Sequence, residues 1–187
     1  MAPKIKINRE EIINAALDLI RSGGEGEVNA RNLAAALNCS TQPIFSNFAS
    51  MDALEVAVLE EAYKLYLKFL SDNAESGRYP KYKAFGMGYI RFAKEEKELF
   101  KLIFMRDMRD SKPKKGADFK ESVRLIAEEN GITYERAELM HLEMWICVHG
   151  IATMQATAFL PLDDELVSVI LTDIYQGVRA KHIAEEK

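Results

Sequence analysis

Apolar residues recur at three- and four-residue spacing along nearly the whole chain, and no run alternates with period two between turn residues. That pattern confines the chain to an all-α architecture of about nine helices. Asn8 is placed to cap the first helix, with Glu10 and Glu11 in its first turn, and Gly23-Gly24 stops it. Asn29 opens a second helix carrying Ala30, Leu33, Ala34 and Leu37, and Asn38 ends it, being a residue that tolerates the left-handed conformation of a helix stop. Ser40 or Thr41 caps a third, short helix with Pro43 in its first turn. Ser50 caps a long fourth helix from Met51 to about Asn73. Further helices are expected over 81–94, 96–108, 118–130, 133–159 and 163–183, the last two separated by Pro161.

Composition narrows the class. The 187 residues are 48% hydrophobic and 29% charged, values of a globular chain, not a disordered one. A net charge of −4 excludes a polybasic coat for nucleic acid or membrane, while leaving room for a local contact patch. Cys39 and Cys147 are too few for a disulfide scaffold and match no metal spacing. The first residues lack the apolar run of a signal peptide, and no uncharged apolar stretch reaches about 18 residues, so a cytoplasmic protein is expected. A Gly-rich phosphate loop, a nucleophile elbow and a His-Glu-x-x-His pair are all absent from the sequence. The expectation is a protein that is not an enzyme and uses no cofactor or metal.

Two short helices joined by a four-residue turn and preceded by an amphipathic helix form a helix-turn-helix arrangement, here over about 29–48. The stretch Val28 to Glu60, VNARNLAAALNCSTQPIFSNFASMDALEVAVLE, resembles the DNA-binding domain of the TetR (tetracycline-repressor-like) transcriptional regulators. Leu33-Ala34 takes that family's aliphatic–alanine place, Asn38-Cys39-Ser40 its turn, and Ile44, Phe45 and Phe48 its aliphatic and aromatic places. Three positions depart from the pattern: Phe45 stands for a Tyr, Asn47 for a His, and Met51 for the Lys that heads the linker helix. Residues 1–50 hold five basic residues (Lys4, Lys6, Arg9, Arg21, Arg31) and five acidic ones (Glu10, Glu11, Asp18, Glu25, Glu27), a neutral balance where DNA-binding domains are usually basic. A later run, Trp145-Ile146-Cys147-Val148-His149-Gly150, is similar to the Trp-x-x-x-His-Gly run of one subgroup.

The resemblance implies a DNA-binding domain over residues 1–50 and a helical effector-binding and dimerisation domain over 51–187. Ser40, Thr41, Gln42, Phe45, Ser46 and Asn47 then form the candidate base-contact set, with Arg31 reaching phosphate. Gln42 and Asn47 have the donor–acceptor pair that matches adenine, and Phe45 can touch a thymine methyl. Ile44 and Phe48 face inward. Phe92, Phe104, Met105, Met108, Met144, Trp145 and His149 are the candidate lining of a pocket for a small apolar or amphipathic effector, since Met and aromatic side chains repack around varied ligands. Each of them can equally be plain core, and His149 a satisfied core histidine.

The final helix carries a broad apolar stripe through Leu166, Val167, Ile170, Leu171, Ile174 and Val178, and the helix before it a stripe through Leu139, Met140, Leu142, Trp145, Ile146, Ile151 and Met154. Met154, Leu166, Ile170, Ile174 and Val178 are the candidate interface of a homodimer. Two functions stay open on the residues. One is a ligand-responsive repressor that binds a near-palindromic double-stranded operator as a dimer. The other is a helical ligand-binding or interaction module whose DNA binding is weak or lost.

Overall fold

The computed structural model describes residues 7–107 and 117–186. Among the described residues the fold is all-α: α1 (Arg9–Gly23), α2 (Ala30–Ala36), α3 (Gln42–Asn47), α4 (Met51–Glu75), α5 (Lys81–Glu95), α6 (Lys97–Phe104), α7 (Ala117–Asn130), α8 (Tyr134–Ala156) and α9 (Asp164–Glu186), with one 3₁₀ turn at Glu25–Glu27.

The caps follow from local chemistry. The Asn8 side chain accepts from the Glu11 amide (2.9 Å) while the Glu11 carboxylate accepts from the Asn8 amide (2.7 Å), a reciprocal capping box. Asn29 accepts from the amides of Arg31 and Asn32, Ser50 from Ala53, Thr133 from Arg136, and Asp163 from Leu166. Thr41 differs from expectation. It holds the cap position of α3, but its backbone is already helical and its side chain makes no capping bond. Pro43 in the first turn removes one amide that would otherwise need a partner.

The turn between α2 and α3 is built on Asn38, at φ 49°. The Asn38 amide donates to the Ala35 carbonyl (3.1 Å) and the Cys39 amide to the Ala34 carbonyl (2.9 Å). These two bonds around a left-handed residue are the Schellman pattern that stops a helix sharply. The same device ends α8 at Ala156, short of the expected Phe159: Ala158 sits at φ 54°, with the Phe159 amide on the Met154 carbonyl at 3.0 Å. Helix α6 closes at Phe104, earlier than the expected end near residue 108.

The chain divides into two packing units. The first comprises the described residues up to Leu65 and Glu96–Arg106, so that α6 joins α1, α2, α3 and the start of α4. Its core is Ile12, Ala16, Leu17 and Ile20 from α1, Leu33 and Ala34 from α2, Ile44 and Phe48 around α3, Leu54 and Val58 from α4, and Leu99, Phe100 and Leu102 from α6. Arg21 fastens α1 to α6 through two bonds to the Glu96 carboxylate, both 2.9 Å, and the Glu96 hydrogen bond raises the guanidinium pKa.

The second unit comprises Tyr66–Glu95 and the described residues from Asp107 onward. Helix α8 runs through its middle, packing on α5, α7 and α9. Met140, Met144, Val148, Ile151 and Ala152 point inward from α8, and Phe92 is fully buried on α5. At Gly88, α4 and α5 meet closely. A Cβ there would lie 2.9 Å from the Phe69 carbonyl oxygen and 3.1 Å from the Leu70 Cα, both of them backbone atoms. Gly88→Ala is therefore expected to lower the unfolding free energy by about 1–3 kcal/mol, as overpacking against rigid neighbours does. Chemical denaturation measures this, and an unchanged midpoint would show that the two helices separate freely.

Candidate nucleic-acid interface

Helix α3 is short, and its two sides have different tasks. Ile44 and Phe48 lie in the core. Opposite them Thr41, Gln42, Phe45 and Ser46 are exposed, as is Ser40 just before the helix. Phe45 is 51% exposed, high for so large an apolar side chain. The Ser46 hydroxyl donates back to the Gln42 carbonyl at 2.9 Å, so it offers incoming groups its lone pairs but not its proton.

Asn47 is placed differently from its neighbours. It is half-buried, and its Nδ2 donates to the carbonyls of Pro43 (2.8 Å) and Ile7 (3.3 Å). The amide thus ties the end of α3 to the segment that enters α1. Its backbone carbonyl accepts from Arg9 Nη1 at 3.3 Å, and the Arg9 guanidinium stands 4.1 Å from the centroid of the Phe48 ring. No sequence signal marked this Arg9–Asn47–Phe48 clasp, because it joins residues 38 positions apart.

The charges near this face are few. Arg9 is engaged with α3, and Arg21 with Glu96 and Asp18. Arg31 is exposed on α2, and its side chain makes no hydrogen bond or ion pair among the described residues. Lys4 and Lys6 lie outside the described residues. The α3 segment itself, Gln-Pro-Ile-Phe-Ser-Asn, holds no charge at all.

The candidate effector residues fall in both packing units. Phe104 and Met105 belong to the first, where Phe104 packs beside Phe100. Phe92, Met144, Trp145 and His149 belong to the second, and Met108 lies outside the described residues. In the second unit the Trp145 ring stacks on His149, with centroids 4.9 Å apart and planes at 16°. His149 Nδ1 shares a hydrogen bond of 2.9 Å with the Tyr89 hydroxyl, and Tyr89 packs edge-on against Tyr66. Tyr66 donates to Asp118 Oδ2 at 2.9 Å. Burial raises the Tyr89 pKa and lowers that of His149, so the phenol stays protonated and the imidazole neutral near pH 7. Apart from His149 and Trp145, these polar members were not legible from the sequence, since a tyrosine at helical spacing reads as core.

A second histidine, His141, is buried, with Nδ1 3.0 Å from the Tyr82 hydroxyl and its ring edge-on to Phe119. Burial pulls it down to about 4, against a smaller opposing pull from Asp118. A histidine with a lowered folded pKa binds fewer protons folded than unfolded, so its contribution is complete above pH 6.5 and is lost as the pH falls toward about 4. Stability is expected to drop across that window by up to about 3 kcal/mol, with His149 adding in the same direction. Unfolding curves of the parent and His141→Asn between pH 7 and 4 test this. Equal pH slopes for the two proteins would assign the loss to other groups.

Of the candidate interface residues, Leu166 is exposed, Met154, Ile170 and Ile174 are half-buried, and Val178 packs within the subunit on the cluster of Val123, Ile126, Ile132, Ala137 and Met140. The open apolar surface also includes Leu139, Leu142 and Ile146 on α8 and Val169 on α9; Ile146 is 60% and Val169 56% exposed. On those helices Gly150 and Gly177 have only open space where a Cβ would be. Among the described residues no helix is long and apolar enough to cross a membrane.

Helices α2 and α3 thus form a helix-turn-helix in which α3 has one buried and one open face, and the second unit is a set of packed helices. Residues 82–173, which include α6 of the first unit and most of the second, match the family described as "Tetracyclin repressor-like, C-terminal domain". Over that segment the chain is similar to the C-terminal domains of TetR-like proteins. Its fold is shared with solved structures of low sequence identity. A protein described as of unknown function from Rhodococcus sp. RHA1 aligns at TM-score 0.73 and 21% identity, over 95% of this chain and 98% of its own. A TetR-like transcriptional regulator from the same organism aligns at TM-score 0.62 and 16% identity, over 94% and 96% of the two chains. The fatty acid degradation regulator FadR from Bacillus halodurans aligns at TM-score 0.55 and 14% identity, over 91% and 97%. Among curated proteins none matches the sequence.

Proposed function

We propose that the chain is a ligand-responsive repressor: a homodimer that binds a near-palindromic operator and leaves it when a small apolar or amphipathic molecule binds the C-terminal helices. The observation that carries this reading is the two-sided α3, with Ile44 and Phe48 in the core and Thr41, Gln42, Phe45 and Ser46 presented outward. In function we divide the chain near residue 50, with DNA contact before it and effector binding and dimerisation after it. The packing units cut elsewhere because α6, which follows α5 in sequence, packs with the helix-turn-helix unit. This interleaving supports coupling, since a rearrangement of α5 pulls on a helix seated beside α1. An effector shifts the balance only as far as it prefers one arrangement of the dimer.

The effector contacts we assign are Phe92, Met144, Trp145 and His149, with Tyr89 and Tyr66 as their polar neighbours. The Trp145–His149 stack supports placing the chain in the subgroup with a Trp-x-x-x-His-Gly run. The open apolar faces of α8 and α9 support a two-fold bundle in which the same patch is used twice. Two third helices would then stand about one DNA turn, roughly 34–36 Å, apart. The protein acts in the cytoplasm, where its operator is.

Mobility shift with the DNA flanking its own gene tests the reading. A specific shift is expected, and added effector should reverse it. Arg31→Ala should weaken every duplex about equally and reduce the salt slope by about one unit, the signature of a lost phosphate contact. A slope that stays the same would remove Arg31 from the interface.

A further inference from the structure

We propose that α3 reads A·T pairs: Gln42 reads an adenine, and Phe45 reads the methyl group of a thymine one or two base steps away. The proposal rests on the DNA-binding reading above and adds the bases that this chain selects. Four observations carry it. First, the outward face of α3 holds no Arg or Lys, the side chains that pair bidentately with guanine O6 and N7. Second, Gln42 is exposed, and its amide offers the donor and acceptor that match adenine N7 and N6. Third, Phe45 is 51% exposed beside it, and the only apolar group in the major groove is the thymine methyl. Fourth, the other amide on the helix is not available, since Asn47 holds the carbonyls of Pro43 and Ile7.

Spacing sets the register. Residues three apart on a helix have Cβ atoms about 5–6 Å apart. Bases on one strand rise about 3.4 Å each. Gln42 and Phe45 therefore meet bases one or two steps apart. Ser46, its proton engaged with the Gln42 carbonyl, can only accept, and so adds no guanine contact either.

The test uses the full chain. Duplexes are selected from a randomised pool, and the enriched half-site is then remade with single base analogues. Under α3 the half-site is expected to hold A·T pairs. Replacing the contacted thymine by deoxyuridine deletes only the methyl, and should weaken the parent about fourfold. Phe45→Ala should bind the two duplexes alike. Replacing the contacted adenine by 7-deazaadenine removes N7, and should weaken the parent about tenfold but leave Gln42→Ala indifferent. Both side chains are exposed, so both variants should melt with the parent. Deoxyuridine tolerated at every thymine, or a guanine required under α3, overturns the proposal. If no duplex is enriched, the DNA-binding reading itself fails, and the base assignment falls with it.

Discussion

A chain carrying Ile146→Glu and Val169→Glu is expected to sediment as a folded monomer, with operator binding weakened by about a hundredfold or more. The parent should sediment near twice 21.2 kDa. Ile146 and Val169 are 60% and 56% exposed within the subunit, so carboxylates there are solvated in the monomer and leave its core intact. In a two-fold bundle the same positions are covered twice over. Each uncompensated buried charge costs about 3–5 kcal/mol, and every 1.4 kcal/mol is about tenfold in an equilibrium constant. Two such charges per subunit place four at the two-fold interface, a cost of about 12–20 kcal/mol where none finds a partner. Loss of the dimer separates the two α3 helices, and each half-site is then bound without the gain of joint attachment. Circular dichroism checks that helicity is kept. A double variant that remains dimeric, or a parent that is monomeric at micromolar concentration, would remove α8 and α9 as the interface.

Phe48→Ala should unfold or loosen the helix-turn-helix unit and abolish sequence-specific DNA binding. Phe48 is 2% exposed and closes the core under α3, while the Arg9 guanidinium covers its ring at 4.1 Å. Removing a buried phenyl ring costs about 3–5 kcal/mol, from lost transfer energy and the cavity left behind. The contact between the Arg9 guanidinium and the ring goes with it. The second unit has its own core, in Phe92, Met140, Met144, Ile126 and their neighbours, and should keep its helices. Hydrogen exchange resolves the two: protection should fall in α1–α3 and persist in α5, α7 and α8. Undiminished protection at α3 would mean that Phe48 is not what holds it.

Much of the fold is legible in the sequence because helices are local. Asn8, Asn29, Ser50, Thr133 and Asp163 announce helix starts through side chains that reach amides two or three residues away. Asn38 announces the turn of the helix-turn-helix because few residues other than glycine accept φ 49° easily. Thr41 shows the limit of that reasoning: it is the right residue type at the right place, yet its helical backbone and side chain make no cap.

The candidate DNA site is legible for the same local reason, since a six-residue helix with Ile44 and Phe48 inward must turn Gln42, Phe45 and Ser46 outward. Three things depended on tertiary structure. Asn47 reads as a base contact, and only the structure shows that the entering segment brings the Ile7 carbonyl to its amide. Phe104 and Met105 read as neighbours of Phe92 and Met144, and only the structure groups α6 with α1. Helix α8 is apolar on nearly every side, so periodicity cannot say which stripe is core. The packing of α5, α7 and α9 takes Met140, Met144 and Val148 and leaves Leu139, Leu142 and Ile146 open. Sequence alone determined where most of the helices begin and which face of α3 is free, because hydrogen bonds within a few residues decide those, while the ends of α6 and α8 came earlier than the pattern placed them. Which distant residues share a core, and which apolar face is left over, was decided only when the helices packed.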